Sequence, residues 1–334
     1  MSAGAWRWAG VRNRMVQSGF YLVLVAVFLF FSFAARNFAN LGNVMAMLHA
    51  MAPVVVMSCG MALVVFSGKL DISIGSVAMV SCAVAVMLMR IFHLHPVLAF
   101  LVALACGAAL GALNGFIVAF LGINPLIATL GAMISLRGLA LQMTKAVFMP
   151  VPESVRVLGN AAVGPVFYDI FVLLAVAGAM HLLHRRTVFG RQLNAIGNGE
   201  ETAQRIGIPV RRRVFTSFVL SGLLAAFGGY VSLLQVGGVS AYLGKGMEFT
   251  AVAVVVVGGI SLFGGRGAVV PGVLVSAFTF QVIQNGLNQL GANPYAYNVI
   301  TGAVIFVAMY ADALKSGRIQ VSRRKVVPKE PQVQ

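Results

Sequence analysis

The stretch Ile91–Leu136, IFHLHPVLAFLVALACGAALGALNGFIVAFLGINPLIATLGAMISL, decides the fold. It runs 46 residues without an Asp, Glu, Lys or Arg. A helix that crosses a bilayer needs roughly 20 apolar residues, so this run holds two crossings. The turn between them reads as Gly122-Ile123-Asn124-Pro125, because Gly and Asn-Pro break regular structure. Hydrocarbon offers the backbone no outside hydrogen-bond partner, so the crossings are α-helices.

Further charge-free runs lie on both sides, at 15–35, 42–68, 72–89, 214–244 and 267–311. The last repeats the pattern, with a turn at Gly291-Ala292-Asn293-Pro294. The reading is an all-α polytopic membrane protein of about ten transmembrane helices, over 18–36, 43–66, 74–91, 96–120, 125–144, 167–184, 214–235, 247–263, 268–290 and 296–313. Composition agrees. Of 334 residues 60% are hydrophobic and only 10% charged, where a soluble domain carries about a quarter charged. The first run is too long for a cleaved signal peptide and no small-residue cleavage site follows it, though it can act as an uncleaved anchor. Cys59, Cys82 and Cys106 all lie in apolar runs, so no disulfide framework is implied.

The net charge of +16 comes from 24 Lys and Arg against 8 Asp and Glu. With the N-terminus inside, ten crossings return the C-terminus inside. Only Arg36, Arg90, Arg137, Lys145, Arg156 and Lys245 then lie outside, and the other 18 of the 24 lie inside. Basic residues gather on the cytoplasmic side of membrane proteins. The bilayer therefore accounts for the basic excess, and no nucleic-acid partner is expected. The chain divides into an inside segment 1–17, a transmembrane domain 18–313 with a large inside loop 185–213, and a basic inside tail 314–334.

The two halves echo each other. Asn114-Gly115 and Gly131-Ala132 recur as Asn285-Gly286 and Gly302-Ala303, a shift of 171 residues in both cases, with Gly-x-Asn-Pro between each pair. The shift carries the fourth crossing onto the ninth, which run in opposite directions, so the halves are read as an inverted repeat, a frequent plan in transporters.

Two loops are long. Residues 146–166, outside, hold Pro150, Pro152 and Pro165. Residues 185–213, RRTVFGRQLNAIGNGEETAQRIGIPVRRR, predict a helical stub of one to two turns. It starts at Asn198 or Gly199, keeps Glu200 and Glu201 in its first turn where the helix dipole favours them, and ends at Gly207 before Pro209. A basic solvated loop is the plain alternative. The order of Gly-punctuated approach, compact helix, Gly-Ile-Pro exit and Arg211–Arg213 favours a docking helix for a soluble partner.

At these residues the sequence resembles the permease subunits of ribose-type carbohydrate ABC importers. Four blocks carry the resemblance: SGKLDISIGS at 67–76, NPLIATLGAMISLRG at 124–138, TVFGRQLNAIGNGEETAQRIGI at 187–208, and GKGMEFTAVAVVVVGGISLFGGRG at 244–267 continuing in NGLNQLGANPY at 285–295. The fourth block also looks like permeases for branched amino acids or nucleosides. In the first block Lys69 and Leu70 stand where the family usually has Gly and Ile. The resemblance implies an inner-membrane permease paired with a second permease copy or paralogue, a cytosolic ABC ATPase beneath, and a periplasmic sugar-binding protein. It also implies a coupling segment over 190–206, with Gly190, Arg191, Gly197, Asn198, Glu200 and Arg205 as ATPase-coupling residues. The chain itself shows no P-loop, which needs Gly, four residues, then Gly-Lys-Ser/Thr. Gly244-Lys245 is followed by Gly246 and preceded by Val239 where Gly is needed, and Gly68-Lys69 is followed by Leu70.

Polar residues at membrane depth are costly and often functional. Gln281, Gln284, Asn285 and Asn288 recur at i, i+3, i+4 and i+7, one helical face. Their amides suit a neutral, hydroxyl-rich solute, and equally suit helix–helix hydrogen bonding. Gln284 and Asn288 are the preferred path-facing pair. Asp71 and Arg137 are the charges nearest membrane depth. Asp71 is first a cap of the third crossing, beside Ser73 and Ser76. Asn114, the repeat partner of Asn285, is assigned to the same cavity, which completes the candidate substrate path. No acid besides Asp71 is expected at depth, which argues against an ion-coupled secondary transporter. No metal set or paired-carboxylate arrangement suggests an enzyme, and neither metal nor cofactor is expected. Gly107, Ala108, Gly111, Gly228 and Gly229 are read as close-packing positions.

Overall fold

The computed structural model describes residues 21–315, so the segment 1–17 and nearly all of the tail 314–334 lie outside the described residues. Helix α1 covers Tyr21–Ala34. It is followed by α2 Leu41–Phe66, α3 Ile74–Ile91, α4 Pro96–Ala119 and α5 Pro125–Thr144. A short strand β1 (Met149–Pro150), helix α6 (Glu153–Gly159) and strands β2 (Ala162–Val163) and β3 (Val166–Phe167) lead into α7 Tyr168–Arg186. Then come α8 Val188–Asn198, α9 Glu200–Arg205, α10 Val210–Val236, strand β4 (Gly238–Val239), α11 Met247–Val257, α12 Gly272–Gln289 and α13 Pro294–Lys315.

Helix starts follow local chemistry. Asn40, His95 and Asn124 cap α2, α4 and α5 by accepting the backbone N–H two residues on. Pro96 and Pro125 occupy first-turn positions where no N–H is required. The two Gly-x-Asn-Pro turns adopt one geometry. Gly122 and Gly291 have φ of 72° and 70°, and Asn124 and Asn293 accept from Leu126 N and Tyr295 N at 2.9 Å each. The loop expected over 146–166 is partly ordered: β1 pairs antiparallel with β4, and β2 with β3 around Gly164-Pro165.

The centre of the molecule is α2, whose residues from Met51 to Phe66 are almost all buried, against α10, α7, α11 and α12. Helices α4 and α10 meet most closely. A Cβ on Gly111 would strike the Phe218 carbonyl, and one on Gly222 the Gly107 carbonyl, so only glycine permits this approach. Gly228 and Gly229 likewise seat against Met57 and Ala78.

Among the described residues six helices, α2, α3, α4, α5, α7 and α10, are long and apolar enough to cross a bilayer. The helix expected over 247–263 ends at Val257. Its 11 residues rise only about 16 Å, roughly half of a hydrocarbon core. The cause is the glycine pair Gly258-Gly259, where Gly259 takes φ 85°. The chain then runs irregularly to Gly272, held by Gly265 N donating to Phe66 O at 3.0 Å and Leu262 N to Asp312 at 3.1 Å.

Candidate functional site

The stub expected after Asn198 is present as α9, six residues with Glu200 and Glu201 in its first turn. Gly207 follows at φ 83°. Helix α8, just before it, was not anticipated: Gly190 obscured its propensity. Thr187 caps it, accepting from Gly190 N at 3.3 Å, and Leu193 and Ile196 recur at helical spacing on its buried face. Its other anchor is His184, which stacks on Phe66 with ring centroids 3.7 Å apart and shares a 3.0 Å hydrogen bond between Nε2 and Asn194 Oδ1.

The α8–α9 junction fits tightly against the end of α2. A Cβ on Gly197 would collide with Phe66 O and Gly265 N, so the residue is confined to glycine. Asn198 Nδ2 donates to Asn194 O at 2.9 Å and reaches Gly265 O at 3.4 Å. Lys69 Nζ donates to Glu200 Oε2 at 2.6 Å. Thus the residue that departs from the usual first block is ion-paired with the stub. Arg205 pairs with Glu201 at 2.7 Å on the exposed side, and exposed Arg191 donates to Arg186 O at 3.5 Å. A cavity of about 400 Å³ opens beside the stub, lined by Lys69, Glu200, Gln204, Arg211 and the turn from Leu121 to Pro125.

Deeper in the bundle the structure joins Asp71 and Asn114. Asp71 Oδ1 accepts from Ser73 N at 3.1 Å and Ser73 Oγ at 2.6 Å, and Oδ2 accepts from Ser221 Oγ at 2.9 Å. Asn114 Nδ2 donates to Ser73 Oγ at 2.8 Å. All four side chains are buried. Asp71 does not cap α3 as expected: Ser73 holds the cap position, with no side-chain cap bond, and Asp71 instead fixes Ser73 and ties this turn to α10 through Ser221.

Asn114 and Asn285 bond to different partners. Asn285 accepts from Asn43 at the first turn of α2, at 3.1 Å, whereas Asn114 bonds the segment that follows α2. The repeat matches their sequence neighbourhoods, and packing then assigns them different partners. On α12, Asn285 also accepts from Gln289 at 3.2 Å. Gln281, Gln284 and Asn288 form no side-chain hydrogen bond among the described residues, and Asn288 is exposed.

A second acid, besides Asp71, is buried in the bundle. Glu248, in the first turn of α11, is 5% exposed, and Arg137 is half-buried nearby on α5. Arg137 Nη1 donates to Leu243 O at 2.7 Å and contacts Met79 Sδ at 3.1 Å. Hydropathy missed Glu248 because it falls at a span boundary beside Lys245. At the far end from α9, His49 and Asp169 pair at 2.7 Å, and Gln235 donates to both His49 O and Asp169.

Apolar crossings, close small-residue packing and buried polar clusters on facing helices define a polytopic helical transport protein. A family model described as "Branched-chain amino acid transport system / permease component" matches residues 43–309, and the chain belongs to that family. Its curated relatives are permeases. It is 34% identical over 317 residues to "Probable ABC transporter permease protein YphD" of Escherichia coli K12, spanning 94% of each chain. It is 33% identical to the ribose import permease protein RbsC of Escherichia coli K12, over 88% of this chain and 92% of that one. It is 31% identical to the galactose/methyl galactoside import permease protein MglC of the same organism, over 90% and 95%. The chain is therefore a multi-pass permease subunit of an ABC transporter in the inner membrane. It is a transport component, with ATP hydrolysis on a separate subunit and a substrate-binding protein as partner.

Proposed function

We propose that this permease carries a monosaccharide or polyol-like solute into the cytoplasm, paired with a second permease copy or paralogue. Its similarity to a ribose and a galactose import permease along nearly the whole chain supports a sugar. The observation that carries the reading is the amide face of α12: half-buried Gln281 and Gln284 form no side-chain hydrogen bond among the described residues, and exposed Asn288 lies on the same face. Buried or half-buried amides without partners are costly, and a hydroxyl-rich solute satisfies both their donors and acceptors. Arg137 and Asn285 extend the candidate path, while Asp71 and Asn114, expected on it, hold the bundle beside it through Ser73.

Both termini lie inside in this reading, with α8 and α9 on the cytoplasmic face. Gly190, Arg191, Gly197, Asn198, Glu200 and Arg205 transmit ATPase closure to α2 and the Gly258–Gly272 segment. The ten-crossing count needs α1, α11 with its flanking loops, α12 and α13 to complete the six long helices. The matched geometry of Gly122/Asn124 and Gly291/Asn293 supports the inverted repeat.

The test is ATP-dependent uptake of labelled pentoses and hexoses by proteoliposomes holding the permease, its ATPase and its binding protein. Uptake that needs the ATPase supports the reading; uptake without it, driven by a proton gradient, sinks it. Labelled leucine serves as the rival cargo, since the family description names branched-chain amino acids.

A further inference from the structure

Glu248 stands outside the candidate path drawn from the sequence, yet its surroundings are those of a ligand-contacting group. It sits at the start of α11, 5% exposed. Oε1 accepts from Gly246 N at 3.3 Å, and the carboxyl also meets its own backbone N–H. Oε2 is buried and has no hydrogen-bond partner. A buried carboxyl oxygen left unpaired is expensive. The neighbouring backbone makes room for it: a Cβ on Gly75 of α3 would strike Oε2, so any side chain there would displace the carboxyl.

Arg137 reaches the neighbouring residues of the same two segments, Met79 one turn beyond Gly75 and Leu243 just before Gly246. It lies 12 residues, about 18 Å, along α5 from its start, within the span-length helix. One guanidinium nitrogen, Nη1, is engaged by Leu243 O and Met79 Sδ, and the remaining N–H donors form no hydrogen bond among the described residues. The charges of Arg137 and Glu248 act on each other. Nevertheless they make no ion pair. Those within 4.0 Å among the described residues are His49–Asp169, Lys69–Glu200, Arg156–Glu153 and Arg205–Glu201. Arg137 thus reaches Leu243 and Met79, and Glu248 lies against Gly75 and Gly246, so an acceptor and a set of donors meet the same stretch of α3 and the 243–246 turn without pairing directly.

We infer that Glu248 and Arg137 form a transit site for a neutral polyhydroxylated solute, in which a solute hydroxyl donates to Glu248 Oε2 while it or its neighbour accepts from the Arg137 guanidinium. A pair of adjacent hydroxyls supplies both functions at once, which a single inorganic ion does not. The site deepens the sugar-importer reading and rests on it. It adds a contact residue for the translocated solute, one that the α12 amides do not provide.

The test uses the full complex of permease, ATPase and binding protein in proteoliposomes, with a labelled sugar that the unsubstituted complex transports and its monodeoxy analogues. In Glu248→Gln the maximal uptake rate falls about tenfold, the equivalent of about 1.4 kcal/mol in a barrier, while complex assembly and ATPase activity stay within about twofold. The unsubstituted complex discriminates against at least one monodeoxy analogue, and Glu248→Gln does not. Glu248→Asp, which keeps the carboxyl, retains the discrimination at a reduced rate. Uptake and discrimination in Glu248→Gln equal to those of the unsubstituted complex overturn the site. So does loss of assembly in both Gln and Asp variants, which makes the residue purely structural. Failure of the unsubstituted complex to take up any sugar is a separate outcome, scored first, and it fails the importer reading instead.

Discussion

Two buried carboxyl groups, Asp71 and Glu248, occupy the interior of one helical bundle and are treated in opposite ways. Asp71 is wrapped by donors on both oxygens, from Ser73 and Ser221. Glu248 has only weak backbone bonds, from Gly246 and from its own N–H, and one oxygen without a hydrogen-bond partner among the described residues. Both follow a Gly-Lys pair by two or three residues, and they are almost equally buried. A fully satisfied buried polar group rigidifies the fold around it, while an unsatisfied one persists where a visiting group completes it. On the proposal that Glu248 meets the solute, the difference separates a structural acid from a working one.

That contrast breaks most sharply at Asp71 itself. Asp71→Ala removes the acceptor for three donors and is expected to destabilise the protein by about 3 kcal/mol or more, read as a large fall in thermal midpoint and in yield from detergent. A stable Asp71→Ala variant with impaired transport would merge the two acids into one class. Ser221→Ala removes the link to α10 alone and is expected to cost about 1 kcal/mol. The same melting experiment checks it. Glu248→Gln is expected to leave the midpoint nearly unchanged. If it melts as early as Asp71→Ala, the comparison fails from the other side.

The Lys69–Glu200 pair supplies an intermediate point. It is partly exposed, and such pairs contribute only about 0–1 kcal/mol. Its reversal, Lys69→Glu with Glu200→Lys, should leave the fold intact. Glu200→Lys alone is expected to lower sugar uptake by about threefold or more at unchanged melting, with partial recovery in the double reversal, if the pair transmits motion into α2. The smallest effect is expected at Arg205. Its i,i+4 pair with Glu201 is exposed, so Arg205→Ala should shift stability by less than about 0.5 kcal/mol. A large uptake defect there would mean that the ATPase itself contacts Arg205.

Much of the helix layout was legible in advance. The boundaries of α3 and α5 match the expected 74–91 and 125–144, because charge-free runs and Asn-Pro or Asp/Ser starts act locally. The α9 stub was legible for the same reason. Helix α8 was not, because Gly190 is a poor helix former and its value lies in contact with His184 O. The early end of α11 was not, because Gly258 and Gly259 read as ordinary small residues of a crossing. Glu248 was not, because its burial depends on Gly75 of α3, some 170 positions earlier in the chain.

The helices follow from the sequence by itself: long uncharged runs in hydrocarbon leave the backbone no partner but its own turn, and prolines, glycines and asparagines mark where each run breaks. Which polar groups meet was decided only by tertiary structure. Helices α4 and α10 approach through glycines, α3 admits a carboxyl beside Gly75, and Lys69 meets Glu200 across the end of α2. A polar side chain's partner is chosen by distance in three dimensions, and along the chain Asp71 and Ser221, or Arg137 and Glu248, are strangers.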